Sequence, residues 1–412
     1  MGNDSTPDMP RRDFLKTSAA AAAFSIVPAR AVRGTEANSK IELGIIGCDR
    51  RGLWIGDLFE EYGAAKVVAV HDYFQDRADL AREAFGVDEA RAHIDLDGYQ
   101  DLVTGSLDAV AVESPSYFHP AQSEAVLDAG KHLFLAKPVA VDAPGALRVA
   151  EAAKRANGRL SAWVDFQTRA NAYYQGAAQR VHDGLIGPPV CGQSYYYAGR
   201  LSIQTEPGQP HPDTARLRNW AFDIALSGDI IVEQNVHVLD VADWFLQGHP
   251  VRAWGTGGRK ARTDVGDCWD HFVVIFTYPD EVRLDFSSGQ FVYGHDALCT
   301  RIYCAEGTVD SYYGGKVEIR GRNESWAGGE TRTIFRDGAV ANIEKFRDSI
   351  LNGAPIDNTA ESAQSTLTTV LGRMAAYRGG EVTWDEMMAE QETLDAQLDL
   401  PADGPHHKPV HS

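Results

Sequence analysis

The chain has 412 residues, 44% of them hydrophobic and 24% charged, enough for two domains with sizeable cores. Its 39 Lys and Arg face 58 Asp and Glu, giving a formal net charge of −19 with no basic run after the N-terminus. That balance excludes nucleic acid as a partner, because phosphate backbones demand clustered positive charge. No apolar run is long enough to predict stable membrane insertion.

Near the N-terminus, Arg11-Arg12-Asp13-Phe14-Leu15-Lys16 precedes an alanine-rich, weakly hydrophobic stretch over 19–27. Ala29 and Ala31 then supply the small residues of a cleavage site. This reads as a twin-arginine export signal over 1–31, with Pro10 where Ser or Thr is usual. It predicts a periplasmic or otherwise exported protein that folds before crossing the membrane. Cys48, Cys191, Cys268, Cys299 and Cys304 show no C-x-x-C or Cys/His ligand spacing, so no structural zinc site is expected. They read as small buried residues, with a Cys299–Cys304 pair as the alternative.

Residues 41–46 are almost wholly apolar, as a central parallel strand requires. Gly47 and Gly52 follow at the first and third glycine positions of the dinucleotide fingerprint G-x-G-x-x-G, with Asp49 in the middle. A carboxylate opposes a pyrophosphate there, and Arg50 and Arg51 are expected to offset it. A helix is predicted over 53–62 and a strand over 66–70. Asp72 lies 20 residues past Gly52, where an acid accepts hydrogen bonds from ribose hydroxyls and favours NAD. Arg50 and Arg51 leave NADP open. A helix over 77–85 and a strand over 108–113 follow, the latter running into Ser114-Pro115 and His119. A further strand ends at Lys137-Pro138. The alternation predicts a doubly wound parallel sheet, an α/β Rossmann domain over 40–160. Gly47, Asp72, His119 and Lys137 all fall at strand carboxyl ends, where such sheets bind ligands.

A helix over 144–156 leads to a strand over 160–166, then Gln167, Arg169 and a helix over 173–183. Strands are predicted over 190–199, 251–257, 271–277, 282–288, 300–305 and 317–320. Few helical patterns intervene, so residues 161–390 read as an α+β domain with a large, mainly antiparallel open sheet. One face of it should pack on helices.

Between 229 and 244 a helix is predicted with Asp229 as N-cap, bringing Asp229, Glu233, His237 and Asp240 to one face. Three readings compete: a solvated face, a metal site, and a carboxylate-oriented histidine working with Lys137 in acid–base chemistry. The last is preferred, because the rest of the helix is apolar. Trp220, after Arg218-Asn219, reads either as a sugar-stacking surface or as core, and so do Tyr195, Tyr196 and Tyr197. Helices are predicted over 341–353 and 361–378, and a disordered tail over 400–412.

The motifs Gly47-x-x-x-x-Gly52, Asp72, Ser114-Pro115-x-x-x-His119 and Lys137-Pro138 resemble the Gfo/Idh/MocA family (glucose–fructose oxidoreductase, inositol dehydrogenase and relatives). That family commonly carries T-P-x-x-x-H and E-K-P; here Ser114 replaces the threonine and Ala136 the glutamate. Phe166-Gln167-x-Arg169 is similar to its F-Q-x-R passage, and Glu233-x-x-x-His237-x-x-Asp240 to its D-x-x-x-H-x-x-D. The resemblance spans about 41–388. It implies a tightly bound NAD, with NADP possible, held by Gly47, Asp49, Arg50, Arg51, Gly52, Asp72, Ser114, Pro115, His119, Lys137 and Gln167. It implies catalysis by Lys137 and His237, with Glu233 bonding the second imidazole nitrogen, and substrate contacts from Arg169, Trp220, Asn235 and Asp240. The implied activity is oxidation or reduction of a secondary alcohol on a sugar, glycoside or cyclitol, in a homodimer or homotetramer. The alternatives are an NAD-dependent glycoside hydrolase and a non-catalytic sugar-binding protein of the same fold.

Overall fold

The computed structural model describes residues 40–204 and 212–400. The expected export signal at 1–31 and the tail after 400 lie outside the described residues.

Six strands form the first sheet: β1 (Ile41–Ile46), β2 (Ala65–His71), β3 (Ala92–His93), β4 (Ala109–Val112), β5 (His132–Leu135) and β6 (Ala162–Val164). Their order is β3-β2-β1-β4-β5-β6 and every pairing is parallel. The order reverses between β1 and β4, so the ligand crevice of a doubly wound sheet lies at their carboxyl ends. β4, Ala-Val-Ala-Val, is buried along its whole length, because helices cover both faces of the sheet. β6 belongs to this sheet, so the boundary expected at 160 falls one strand early. The helix Ile334–Leu351 also returns here, where Phe346 meets Phe59 and Phe134 edge-on at 6.1 and 5.5 Å.

The second sheet has nine strands: β7 (Pro189–Ala198), β8 (Arg252–Gly258), β9 (His271–Thr277), β10 (Arg283–Gln290), β11 (Ala297–Cys304), β12 (Gly307–Tyr312), β13 (Lys316–Gly321), β14 (Trp326–Glu330) and β15 (Glu381–Thr383). Their order is β14-β13-β12-β11-β7-β10-β9-β8-β15, antiparallel except for β7 with β10. β12 and β14 escape a sequence reading because glycines and polar residues blur their alternation. Period two is clear in β9: Phe272, Val274 and Phe276 are buried, while Val273 and Ile275 are exposed. Helices Val236–Leu246 and Thr359–Arg378 pack on the sheet's buried face.

The helix expected over 229–244 is broken into Ile230–Glu233 and Val236–Leu246. Asp229 stands at φ +74°, and its buried carboxylate accepts from Ile230 N (2.6 Å), Trp269 N (3.0 Å) and Tyr377 Oη (2.6 Å). A buried carboxylate must find donors, and these draw Asp229 away from Glu233 and His237. Among the described residues no helix is long and apolar enough to cross a membrane, and no group of three or more His, Cys, Asp or Glu is arranged to hold a metal ion.

Candidate functional site

The glycine turn after β1 packs directly on the turn after β4. Gly47 adopts φ +90°, and a Cβ there would lie 2.5 Å from Ser114 N. A Cβ on Gly52 would lie 1.9 Å from the Gly47 carbonyl oxygen, so neither glycine tolerates a side chain. Asp72 is buried at the end of β2, its carboxylate accepting from Cys48 N at 2.7 Å and Phe74 N at 2.9 Å. Burial raises its pKa, with Arg77 opposing. Gly47, Asp72, Phe74, Arg77, Ser114 and Pro115 border a shallow open cleft. A bare glycine turn, a fixed carboxylate and an apolar-walled cleft at the switch point fit the adenosine half of a dinucleotide.

Asp49 caps the helix Arg50–Tyr62 by accepting from Arg50 N at 2.8 Å. Burial pushes its pKa up, but Arg77 (3.2 Å), Gln204 (2.9 Å) and the helix amide outweigh that and lower it. Arg77, Gln204 and, as expected, Arg50 therefore offset this carboxylate, and Arg51 does not. Arg50 is exposed and lines a second, open cleft of about 300 Å³ with Arg200, Gln204, Asn219 and Trp220. Arg51, expected beside Arg50 as a cofactor-binding residue, lies elsewhere. Its guanidinium turns inward to Glu113 Oε2 at 2.8 Å and Asp165 Oδ2 at 2.5 Å.

Lys137 follows β5, and its bond to Pro138 is cis. Its Nζ donates to the Glu233 carbonyl oxygen at 2.6 Å and to Glu233 Oε1 at 3.0 Å. His119 is fully enclosed, its Nδ1 2.8 Å from Pro138 O and its Nε2 2.9 Å from Ser114 O. Burial takes its pKa down to about 4, against the pull of the two carbonyls. Neutral, the ring has one N–H and donates to one of these two carbonyls while its other nitrogen only touches the second, so His119 is wedged between the Ser114 and Pro138 turns. The Ser114 hydroxyl donates to Gln122 Oε1 at 2.5 Å.

His237 is 8% exposed, with its ring centroid 5.4 Å from Tyr313 and 6.4 Å from Phe166. Its Nδ1 has no hydrogen-bond partner, because Glu233 is spent on Lys137; the expected Glu233–His237 bond is absent. Burial, then Lys137 and Arg51, drive the imidazole pKa well below its usual value, so the ring is neutral. Gln167 is likewise buried rather than facing a cofactor: it donates to Asp165 Oδ2 at 2.9 Å and accepts from Tyr313 Oη at 3.5 Å. Arg169 and Asp240, expected on substrate, pair with each other at 2.9 Å. Glu361 and Ser365 complete that cluster at 2.8 and 2.7 Å. Asn235 is buried, with Oδ1 unpartnered.

Three residues escaped the sequence reading: Glu113, Asp165 and Tyr313. Glu113 and Asp165 each follow an apolar parallel strand, β4 and β6, and a charge in that position was the available signal. Tyr313 lies just past β12, an unrecognised strand, and offered none. At neutral pH the site thus presents an ammonium held by a carboxylate, beside a neutral imidazole, at the crevice of the first sheet. That arrangement suits proton transfer and stabilisation of a developing alkoxide.

A doubly wound sheet with this turn, joined to a half-covered antiparallel sheet, defines a two-domain nicotinamide-dependent oxidoreductase. Residues 41–164 match the oxidoreductase family with an NAD-binding Rossmann fold, and residues 174–310 the GFO/IDH/MocA C-terminal domain. The chain therefore carries both domains of the GFO/IDH/MocA oxidoreductase family, with NAD as its cofactor. It is 29% identical over 266 residues to inositol 2-dehydrogenase of Burkholderia ambifaria, covering 63% of this chain and 70% of that protein. Its fold is similar to that of scyllo-inositol dehydrogenase from Lactobacillus casei with bound NAD(H) and scyllo-inositol (TM-score 0.65, 21% identity, 84% of this chain and 99% of that one). It is also similar to levoglucosan dehydrogenase in complex with NADH and levoglucosan (TM-score 0.68, 15% identity, 84% and 99%).

Proposed function

We propose that the protein oxidises or reduces a secondary alcohol of a cyclitol or sugar at Lys137. The single observation carrying this is Lys137, from the dinucleotide-binding sheet, held by Glu233 of the opposite domain beside His237. Relatives acting on inositol and levoglucosan direct the choice of substrate class. The adenosine half of NAD would lie against Gly47, Asp72, Ser114 and Pro115, and Arg50 would face the phosphates. Bound NAD supplies hydride acceptance and donation. Lys137 orients the reacting hydroxyl and stabilises the alkoxide as its proton leaves, and His237, neutral, hydrogen-bonds the same oxygen. Phe166 and Tyr313 limit water at that point. Trp220, on the cleft beside Arg50, offers an aromatic face to the substrate.

The test is a panel of inositols and aldoses with the NAD-loaded protein, following NADH absorbance and the keto product. Turnover lost in Lys137→Ala with NAD still bound supports the reading; turnover retained in that variant sinks it. Two further proposals accompany it. The open face of the second sheet, with Trp254, Val273 and Ile275 exposed, is the surface on which copies associate. Sedimentation as a monomer at micromolar concentration would count against that. The Arg11-Arg12 signal directs export of the folded holoprotein, and Arg11→Lys with Arg12→Lys should retain it in the cytoplasm.

A further inference from the structure

Arg51, Glu113 and Asp165 form a cluster behind Lys137 that binding and orientation of substrate do not explain. The Glu113 and Asp165 side chains have no exposure. Arg51 holds Glu113 by Oε2 and Asp165 by Oδ2, while Asn342 donates to Asp165 Oδ1 at 2.7 Å and Gln167 to Oδ2. Glu113 Oε1 is buried and has no hydrogen-bond partner.

The charges around this oxygen do not balance. Arg51 on the first helix and Lys137 after β5 bring two positive charges. Glu113 after β4, Asp165 after β6 and Glu233 from the second domain bring three negative ones. His119 and His237, which also face the cluster, are driven towards the neutral form by burial, and burial keeps the Tyr313 hydroxyl un-ionised. One carboxylate is therefore in excess, and a low-dielectric site does not tolerate an uncompensated charge. Two events relieve it: a proton on the orphan oxygen, or a positive charge brought by a ligand. Oxidised nicotinamide carries such a charge, and the reduced ring does not.

We infer that Glu113 is the proton store of the site, ionised while oxidised NAD is bound and protonated on Oε1 when the cofactor is reduced. The inference rests on the oxidoreductase reading above. In the oxidation direction the substrate C–H bond breaks and its electron pair leaves as hydride, reducing NAD. The hydroxyl O–H bond breaks, the carbonyl forms, and the released proton ends on the Glu113 carboxylate. No further reactant is needed. Burial, opposed by Arg51, holds the Glu113 carboxyl at about 7, so the two states straddle neutral pH.

The decisive measurement is proton uptake on cofactor binding without substrate, read by an indicator dye in weakly buffered solution near pH 7. Wild type should take up more protons with NADH than with NAD, the difference approaching about one per site. Glu113→Gln keeps the acceptor for Arg51 and should abolish the difference while both cofactor forms still bind. A difference that survives in Glu113→Gln, or is absent in wild type that binds both forms, overturns the store alone. Failure to bind either form overturns the oxidoreductase reading with it. If Glu113→Gln does not fold, infrared difference spectra of wild type serve: a protonated-carboxyl band must appear with NADH relative to NAD, and its absence overturns the inference.

Discussion

Lys137 and Glu233 join the two domains at one point, the lysine Nζ lying 2.6 Å from the glutamate carbonyl oxygen and 3.0 Å from Oε1. Two anchors on one residue mean that Glu233→Gln removes the ion pair but leaves the backbone contact. Lys137→Ala should lower kcat by ~10²–10⁴-fold, the usual worth of a positioned proton-transfer group. Glu233→Gln should lower it by roughly tenfold, from altered charge alone. Both variants should keep their NAD affinity by calorimetry; a parallel loss of affinity would assign the pair to cofactor binding.

His237 is neutral across the working range, because burial and two neighbouring cations oppose its protonation. His237→Ala should reduce kcat/KM by about 10²-fold through loss of a hydrogen bond to the reacting oxygen. The limbs of the pH–rate profile between pH 6 and 8 should keep their positions in the variant. Disappearance of an acidic limb would show that the ring titrates in the wild type.

Asp49 puts a negative charge at a helix N-terminus that would otherwise attract phosphate. Asp49→Asn retains a cap for Arg50 N and removes the charge. NAD should bind about fivefold to tenfold more tightly, a gain on the order of 1 kcal/mol. Asp49→Ala should lower stability by about 1 kcal/mol through loss of the cap. Weaker NAD binding by Asp49→Asn in calorimetry would mean that the carboxylate itself contacts the cofactor.

Much of this molecule was legible in the chain. The apolar run 41–46, the glycine turn, Asp72 and the two strand ends at Ser114 and Lys137 follow from local pattern, because a parallel strand buried on both faces leaves a strong signal. The side-chain partners were not legible. Glu233 and His237 lie four residues apart, and one helix would have stacked them. The break at Gln234-Asn235 turns Glu233 to a lysine 96 positions away. Arg51, adjacent to the phosphate turn, was taken by two buried carboxylates at strand ends, a long-range demand that no local spacing records. Arg169 and Asp240 satisfy each other for the same reason.

That pair yields a prediction about stability rather than chemistry. Asp240 is fully buried and receives Arg169 Nε on both oxygens, at 2.9 and 3.1 Å. Arg169 is itself flanked by Trp244 at 5.3 Å and by Glu361. Removing Asp240 leaves the largely buried Arg169 with only the half-exposed Glu361 as counter-charge and takes an acceptor from Ser365, a loss of about 3 kcal/mol, the lower end for a broken buried pair. Asp240→Ala should therefore lower the urea midpoint sharply, while its residual folded fraction keeps the wild-type KM. A raised KM at unchanged stability would return Asp240 to the substrate.

Acid sensitivity should come in part from His71, at the end of β2. The ring is buried, Nε2 lies 3.0 Å from Asp95 O, and Nδ1 has no partner. Burial lowers its pKa from 6.5 to about 4. Below pH 6.5 the unfolded chain therefore binds a proton that the native state refuses. The stabilisation is complete above pH 6.5 and is lost as pH falls towards 4, by up to about 3 kcal/mol. His71→Gln keeps a donor for Asp95 O and has nothing to titrate. Whatever its stability at pH 7, its unfolding free energy should fall less than wild type between pH 7 and 4.5, by about 2–3 kcal/mol in urea titrations. Equal slopes in the two proteins would mean that His71 takes up its proton without unfolding the sheet end around it.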